Sequence, residues 1–403
     1  MKFVLSLSLL KRNRNFRLLY IGQFVSMIGT MITSVAVPYQ IYQATKSTLM
    51  VGLVSLFQLI PLLFTALAGG VLADRKHRKM LLIVAESLLA LASIVMIANA
   101  YSADMKIWIV FAVASFMAAM TGLHRPALES MVQQIVAKED FIHVGVLSSF
   151  KTSLCVIAGP AIGGLLIASF GLVVTYSVDL ATFVISLTAL ALISGVKKPE
   201  PKKDQTALSA LAEGMRYAWA RQELVGSYLV DFLAMIFGMP QALFPAIADH
   251  YGSTKVLGML YAAPAVGALL ISFFSGWTHN VKRHGAAIAL AAIGWGFAII
   301  AFGLSPYAWM ALFFLSVAGA FDEISAIFRV TLWNQTIDNN YRGRLAGIEM
   351  ISYMSGPKLG DTEAGLVAAA FGVTASVVSG GVLCVVGVAA SCYFLPKFWR
   401  YKS

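Results

Sequence analysis

The chain has 403 residues, of which 59% are hydrophobic and 12% are charged, and its mean hydropathy is +0.79. A soluble globular domain is about 45–50% apolar and about 25% charged. The composition therefore excludes a soluble enzyme, a nucleic-acid-binding protein, a disulfide scaffold and a fibrous protein. Twelve membrane spans of about 20 residues each would occupy about 60% of the chain, which agrees with its apolar content.

The N-terminal stretch, residues 1–17, has a short apolar patch followed by basic residues and no small-residue cleavage site. We interpret it as a cytoplasmic surface helix and not as a cleaved signal. The apolar segments that follow are too long and too uniformly apolar to be barrel strands, so they predict helices. The predicted spans are, in chain order, residues 18–42, 49–73, 80–101, 107–128, 142–169, 172–195, 223–247, 255–278, 286–304, 307–331, 345–371 and 372–395. They predict an all-α membrane protein with twelve transmembrane helices.

The basic residues indicate how the spans are oriented. If the N-terminus is cytoplasmic, 23 of the 30 Lys and Arg residues lie on the cytoplasmic side. The opposite side then holds only Lys46, Lys106 and Lys255. Lys and Arg concentrate on cytoplasmic loops, so this distribution predicts that both termini are cytoplasmic, and it accounts for the net charge of +11 without a nucleic-acid partner.

The longest polar stretch, residues 196–222, divides the spans into two sets of six. Its first part is rich in Lys and Pro, and its second part, Ala207 to Gln222, has apolar residues at helical spacing, which predicts an amphipathic helix at the membrane surface. We therefore predict an N-terminal six-helix half at residues 1–195, a cytoplasmic linker at 196–222 and a C-terminal six-helix half at 223–403.

The two predicted halves resemble each other in sequence. The Gly159-Pro160 pair in span five has a counterpart, Gly356-Pro357, in span eleven, and the loops after spans two and eight are both basic. Two related membrane halves with a binding site between them are the architecture of secondary transporters. Chance recurrence of small residues in membrane helices is the alternative explanation.

The loop after span two reads Gly70-Val71-Leu72-Ala73-Asp74-Arg75-Lys76-His77-Arg78-Lys79. It resembles the signature loop of the major facilitator superfamily, with His77 where that family usually has Gly. The resemblance implies the two-half major facilitator fold and a cytoplasmic gate that contacts the start of span eleven. The implied gating residues are Gly70, Asp74, Arg75, Arg78 and, from span four, Arg125. Alternatively, the Arg residues of the loop only fix the membrane topology.

Span five contains the motif Gly159-Pro160-x-x-Gly163-Gly164, which resembles a motif of exporters in the same superfamily. Proline removes a backbone donor and bends the helix, and the glycines let a neighbouring helix approach closely. The resemblance implies that this segment seals the extracellular half of the protein. Ordinary helix packing is the alternative.

Further stretches are similar to the bacterial enterobactin exporter family over nearly the whole chain. They are Gln23-Phe24-Val25-Ser26, Ser47-Thr48, Gly69 to Arg75, Phe244 to Asp249 and Gly258-x-Leu260-Tyr261-Ala262-Ala263. The resemblance implies a proton-driven siderophore exporter of the bacterial inner membrane, whose partners are a small-molecule cargo, protons and the lipid bilayer. A monomer without a cofactor is expected.

Charged residues inside the spans are the sequence's own indication of a site. Each costs about 2.5–3.5 kcal/mol at a helix centre, so it should face a cavity or a partner. We predict Asp231, Asp322 and Glu323 as proton-coupling acids, because they lie in spans that line the cavity in this superfamily. We predict that Lys151, Arg329 and Tyr261 bind the cargo. Structural ion pairs between helices are the alternative, and for Glu86 and Asp179 they are the favoured one.

Other chemistry is not indicated. The three cysteines have no paired spacing, no His/Asp spacing suggests a metal site, and no Gly-rich phosphate loop points to ATP. We therefore predict a transporter and not an enzyme, with no metal. Multidrug efflux is the first alternative function, since 25 Phe and 17 Met would also suit apolar cargo. A non-transporting membrane sensor or scaffold is the second, and uptake instead of export stays open.

Overall fold

The computed structural model describes residues 8–196, 207–338 and 341–402. Side chains are described throughout these ranges except at residues 71, 73–75, 207–212, 342–344 and 346–351. Within the described ranges the regular structure is helical and contains no strand.

The first six helices account for the predicted spans one to six. They are α1 (Ser8–Arg12), α2 (Arg14–Thr45), α3 (Thr48–Arg75), α4 (Arg78–Tyr101), α5 (Ile107–Ile135) and α6 (Phe141–Ala191). The side-chain oxygen of Asn13 accepts a hydrogen bond of 3.0 Å from the backbone N–H of Phe16 and caps the start of α2.

Helix α6 is a hairpin of two helical limbs that correspond to spans five and six. Its 51 residues are interrupted at Gly171, which has φ 77° and ψ −179°, a conformation that only glycine adopts readily. Cys155 on the first limb contacts Phe24 of α2. Asp179 on the second limb contacts Thr33 of α2. Both limbs therefore pack against the same helix, and the chain reverses at Gly171.

The remaining helices begin with one inside the predicted linker. They are α7 (Ala207–Trp219), α8 (Gln222–Phe237), α9 (Phe244–His250), α10 (Thr254–Phe273), α11 (His284–Gly303), α12 (Ala308–Thr336), α13 (Arg342–Phe371), α14 (Val373–Phe394) and α15 (Pro396–Trp399). The predicted seventh span is interrupted between α8 and α9, where the backbone carbonyl of Gly238 instead accepts a hydrogen bond from the indole N–H of Trp295 at 2.9 Å.

The predicted amphipathic helix is present as α7. The Tyr217 ring stacks on the Tyr341 ring with centroids 4.2 Å apart. Just beyond α7, the guanidinium of Arg221 donates a hydrogen bond of 2.6 Å to the carbonyl of Thr336 in the last turn of α12. A cation is favourable at a helix C-terminus, so Arg221 anchors the linker to α12.

Ten segments of the described chain are long and apolar enough to cross a membrane. One of them, Lys138–Ala191, has 54 residues and contains the hairpin of α6, so it supplies two crossings. Helix α13, with 30 residues, is long enough for another. This agrees with the predicted twelve transmembrane helices.

The chain forms two compact units. The first unit comprises Met1–Ala44 and Phe57–Asp204, and the second unit comprises Thr45–Leu56 and Gln205–Ser403. The start of α3 therefore belongs to the second unit. The domain boundaries drawn from the sequence at 195 and 223 stay predictions.

The surface of each unit is apolar while part of the interior is polar. Large side chains such as Phe64 and Leu290 are exposed, whereas Glu86, Asp179 and Gln40 are fully buried. This inverts the pattern of a soluble protein and is what a helix bundle in lipid requires, because polar groups there must find partners inside the protein.

Candidate functional site

A buried charge pair of the second unit lies between α8 and α12. The guanidinium of Arg329 binds the carboxylate of Asp231, and both side chains are 10% exposed. The same guanidinium lies 3.3 Å from the hydroxyl of Ser325 and 3.8 Å from a carboxylate oxygen of Asp322. These four residues form what we call the Arg329 cluster.

The members of the Arg329 cluster differ in accessibility. The side chain of Asp322 is 52% exposed, and its distance of 3.8 Å from Arg329 is too long for a hydrogen bond. Asp231 is therefore the buried partner that fixes the guanidinium, and Asp322 is the more exposed acid of the cluster. The sequence predicted Asp231 and Asp322 for proton coupling and Arg329 for cargo binding, and the structure joins all three.

Glu323, the third predicted proton-coupling acid, faces a different neighbour. Its carboxylate accepts a hydrogen bond of 2.8 Å from the hydroxyl of Ser272 on α10. Glu323 therefore lies on the side of α12 that faces α10.

A second polar cluster surrounds Asp361 on α13. One carboxylate oxygen accepts a hydrogen bond of 2.8 Å from the hydroxyl of Ser55 in α3. The other accepts one of 2.9 Å from the backbone N–H of Ala242, in the turn before α9. The hydroxyl of Tyr261, a predicted cargo residue, donates to the carbonyl of Gln241 at 3.2 Å. Asp361 lies within the predicted span eleven, residues 345–371.

Two glycines let α3 and α13 touch beside Asp361. A Cβ added at Gly52 would lie 3.0 Å from the α-carbon of Gly365, and one added at Gly365 would lie 2.8 Å from the α-carbon of Gly52. The hydroxyl of Thr362 also donates to the carbonyl of Gly52 at 3.2 Å. Small residues allow such close backbone approach in membrane helices. The start of α3 is therefore held on α13 by backbone contact and hydrogen bonds.

In the first unit, Glu86 of α4 is fully buried, and its carboxylate lies beside an amide and an imidazole. Its Oε1 accepts a hydrogen bond of 2.5 Å from the amide of Gln23, and the Nε2 of His124 lies 3.1 Å away from the same oxygen. Gln23 also contacts the hydroxyl of Ser186 at 3.3 Å. The other oxygen of Glu86 has no hydrogen-bond partner among the described residues.

The predicted cations of the first unit lie apart from Glu86. Lys151 is partly buried on α6, and its Nζ lies 6.0 Å from the ring centroid of Tyr20, at the limit of a cation–π contact. The guanidinium of Arg125 lies 3.4 Å from the carboxylate of Glu129, one turn further along α5.

The signature loop supplies donors to helix ends of its own unit. Arg78 donates to the carbonyl of Ser130 in α5 at 3.1 Å. Lys79 donates to the carbonyls of Ala191 at 3.0 Å and Ile193 at 2.6 Å, at the end of α6. These cations stabilise helix C-termini. The side chains of Asp74 and Arg75 lie outside the described side chains, and a Cβ added at Gly70 would meet no atom within 4 Å.

The span-five motif packs against α2. A Cβ added at Gly163 would lie 3.2 Å from the α-carbon of Ile32, and one added at Gly159 would clash with Met31. Pro160 lies inside the helical limb and Gly164 is buried. The motif thus provides a close helix contact, and its role as an extracellular seal stays a prediction.

Comparison with known proteins identifies the class. The chain matches the family described as transmembrane secretion effector over residues 6–400. It belongs to this family of membrane transporters, which confirms the resemblance to the major facilitator superfamily.

Named relatives carry a more specific description. An enterobactin exporter from Shigella boydii serotype 18 is 28% identical over 389 residues, which cover 96% of this chain and 93% of the relative. An enterobactin exporter from Escherichia coli O1:K1 is similar to the same extent, 28% over 389 residues.

Solved structures show the same fold. A bacterial homologue of the human lysosomal transporter Spinster has a TM-score of 0.75 at 16% identity and covers 97% of this chain and 99% of its own. A nucleoside transporter has a TM-score of 0.74 at 13% identity and covers 94% and 99%. The predicted major facilitator fold is confirmed, and the family to which the chain belongs is one of multi-pass membrane transporters and not of enzymes.

Proposed function

We propose that this transporter exports a small siderophore across the bacterial inner membrane in exchange for protons, by alternating access and with both termini in the cytoplasm. The enterobactin exporters to which the chain is similar over 96% of its length support the cargo class. The Arg329 cluster is the observation that carries the exchange, because it combines a buried, fixed cation with a more accessible acid.

The exchange follows from competition for one carboxylate. A catechol-type siderophore presents hydroxyl groups, which donate strong hydrogen bonds to an ionised acid. Asp322 is the more exposed acceptor, with the guanidinium of Arg329 3.8 Å away. A proton on Asp322 removes the negative charge and turns one oxygen into an O–H donor, which weakens that acceptor. Cargo and proton therefore exclude each other at this position, as exchange across a membrane requires.

Arg329 contributes in two ways. Its planar guanidinium can bind catecholate or carboxylate oxygens through two parallel hydrogen bonds. Its pair with Asp231 holds the guanidinium in place when cargo is absent. Asp231 is thus a positioning residue, and Asp322 is the exchanging acid.

Alternating access requires groups of helix contacts that break and re-form together. The contact of α3 with α13 is suited to this, since it consists of two glycines and a few hydrogen bonds around Asp361. The signature loop, with Asp74, Arg75 and Arg125, is proposed as the cytoplasmic gate.

The central test replaces Asp322 with asparagine in protein reconstituted in liposomes. We expect Asp322→Asn to lose transport driven by a pH gradient and to bind cargo weakly at every pH, because the amide, like the protonated acid, offers the cargo hydroxyls no negative charge. Asp104→Asn is the matched control, since Asp104 is an exposed acid between α4 and α5. If Asp322→Asn transports cargo along a pH gradient as fast as the control variant does, the proposed role of Asp322 is contradicted.

The cargo is tested separately in cells. A deletion strain grown under iron limitation should secrete less of one chelator and accumulate it inside. An unchanged secreted profile, together with lost resistance to a drug panel, would favour multidrug efflux instead.

A further inference from the structure

A second acid of the first unit is buried without a cation. Asp179 lies on the second limb of α6 and is 0% exposed. Its Oδ2 accepts hydrogen bonds from the hydroxyls of Thr33 on α2 at 2.8 Å and Ser93 on α4 at 2.9 Å. Its Oδ1 has no hydrogen-bond partner among the described residues. Three helices therefore converge on this carboxyl group.

The neighbouring helix α2 passes close to the free oxygen. A Cβ added at Gly29 of α2 would lie 2.5 Å from Oδ1 of Asp179. A glycine at this position lets α2 pass close to the acid. Oδ1 thus faces backbone, and no described side chain donates a hydrogen bond to it.

The titratable groups around Asp179 are few. Tyr176, one turn earlier on α6, donates its hydroxyl hydrogen to Gln40 of α2 at 2.7 Å. On α4, Glu86 lies seven residues before Ser93 and is held by Gln23 and, from α5, His124. No described Lys or Arg forms an ion pair with Asp179. Its charge is therefore uncompensated whenever it is ionised.

Two opposed effects act on this single group. Burial away from water disfavours an ionised carboxylate, while two hydroxyl donors on one oxygen stabilise it. Burial therefore stabilises the neutral form of the carboxyl group, and the two hydroxyls stabilise the ionised form. Oδ2 already receives two hydrogen bonds, so Oδ1 is the oxygen that can carry a proton.

A bound metal cation fits the same site poorly. A hard cation takes several oxygen ligands at once. The hydroxyls of Thr33 and Ser93 lie within donor distance of Oδ2, Ser93 is also 3.2 Å from the carbonyl of Leu89, and the hydroxyl of Thr182 donates to the carbonyl of Asp179 at 2.6 Å. These hydroxyl groups act as hydrogen-bond donors, so their oxygens are not arranged to bind a metal cation.

We propose that Asp179 is a second proton-binding site, which takes up one proton at Oδ1 from water and releases it again during each transport cycle. On uptake, an O–H bond of a hydronium ion breaks as the O–H bond at Oδ1 forms; release to water is the reverse, so no other reactant is needed. Thr33 and Ser93 are positioning residues that stabilise the ionised form. The role in the cycle rests on proton-driven transport, whereas proton binding itself can be measured without any cargo.

The test is infrared difference spectroscopy of the purified protein in lipid, titrated from about pH 5 to about pH 9, the range around neutrality in which a perturbed carboxyl group would change state. We expect the wild type to show a carbonyl-stretch band of a protonated, buried carboxyl group that disappears as the pH rises. Asp179→Asn should lose this titrating band. Asp104→Asn, at an exposed acid, should keep it, and Glu86→Gln should keep it as well.

A second variant covers the case in which Asp179→Asn does not fold. Replacing both donors, Thr33→Val with Ser93→Ala, should make the acid harder to ionise, so its band should persist in more alkaline buffer than in wild type. An unchanged titration in the double variant would overturn the assignment.

Three further results would also overturn it. Asp179→Asn could give the same difference spectrum as wild type. The band assigned to Asp179 could be present at every pH, which would make the residue a permanently protonated structural group. The titration could depend on replacing K⁺ with Na⁺, which would indicate a metal cation site. All of these readings are made without cargo, so failure of the proposed siderophore function leaves them unaffected.

Discussion

The two units hold their buried acids in different ways. In the second unit, Asp231 is bound directly to the guanidinium of Arg329. In the first unit, Asp179 is held by two hydroxyls, and Glu86 by an amide and an imidazole. An acid paired with guanidinium keeps its charge, because removal of either partner leaves an uncompensated buried ion. An acid held by hydroxyls alone has no such penalty when it takes up a proton.

Arg329→Ala should have the largest effect, because it leaves Asp231 buried without its cation. Breaking a buried ion pair costs about 3–5 kcal/mol. We expect a large loss of thermal stability in detergent, measured by fluorescence, and partial recovery in the double variant Arg329→Ala with Asp231→Ala. Lys282→Ala, in an exposed loop, is the control. Wild-type stability of Arg329→Ala would show that the pair contributes little.

Asparagine at the two buried aspartates compares the units directly. Asp231→Asn removes the charge that compensates Arg329, so it should cost about as much as breaking the pair, about 3 kcal/mol or more. Asp179→Asn preserves the shape and an acceptor for both hydroxyls, so we expect a change of about 1 kcal/mol or less. Thermal unfolding of both variants in one detergent measures the difference. Equal losses of stability would remove the distinction between the two units.

The imidazole beside Glu86 should contribute an intermediate amount. His124→Phe removes the group 3.1 Å from Oε1 and leaves Gln23 in place. Loss of one partner of a buried polar group costs about 1–3 kcal/mol. We expect a moderate decrease in thermal stability that disappears when Glu86→Gln is combined with it. Strictly additive effects of the two substitutions would show that the two side chains do not interact.

An exposed pair should contribute least. Arg12 donates two hydrogen bonds, at 2.6 and 2.5 Å, to the carboxylate of Asp140, and its side chain is 67% exposed. Exposed ion pairs contribute about 0–1 kcal/mol. Arg12→Ala should therefore change thermal stability little, and the change should be smaller still at high salt. A loss comparable to that of Arg329→Ala would show that burial is not what separates these pairs.

Much of the fold could be predicted because it follows from local sequence. Hydropathy locates the spans, and Phe170-Gly171 marks the break between spans five and six. The sequence does not predict the interruption after Phe237. It depends on a tertiary contact, in which the indole N–H of Trp295 donates a hydrogen bond to the backbone carbonyl of Gly238. The seven-residue spacing of Asp322 and Arg329 places them on one face of a helix, so their proximity could be predicted.

The partners of those charges could not be predicted. Asp231 lies on α8, about a hundred residues away from Arg329 in sequence, and nothing local connects the two. The contact of Asp361 with Ser55 likewise depends on tertiary packing. The sequence favoured ion pairs for Glu86 and Asp179, whereas the described structure gives Asp179 hydroxyl partners. Hydroxyl residues are common in membrane helices, so no sequence signal singles out Thr33 or Ser93.

The joints at Gly171 and Gly372 have a consequence for biosynthesis. Gly171 separates the limbs of α6 with φ 77°, and Gly372 separates α13 from α14 with φ 93°. At each joint a single residue replaces a polar loop. A helix pair joined in this way can enter the bilayer from the translocon as one hairpin, since there is almost no polar backbone to carry across. A tag inserted at either glycine would add a translocation step that the native chain avoids.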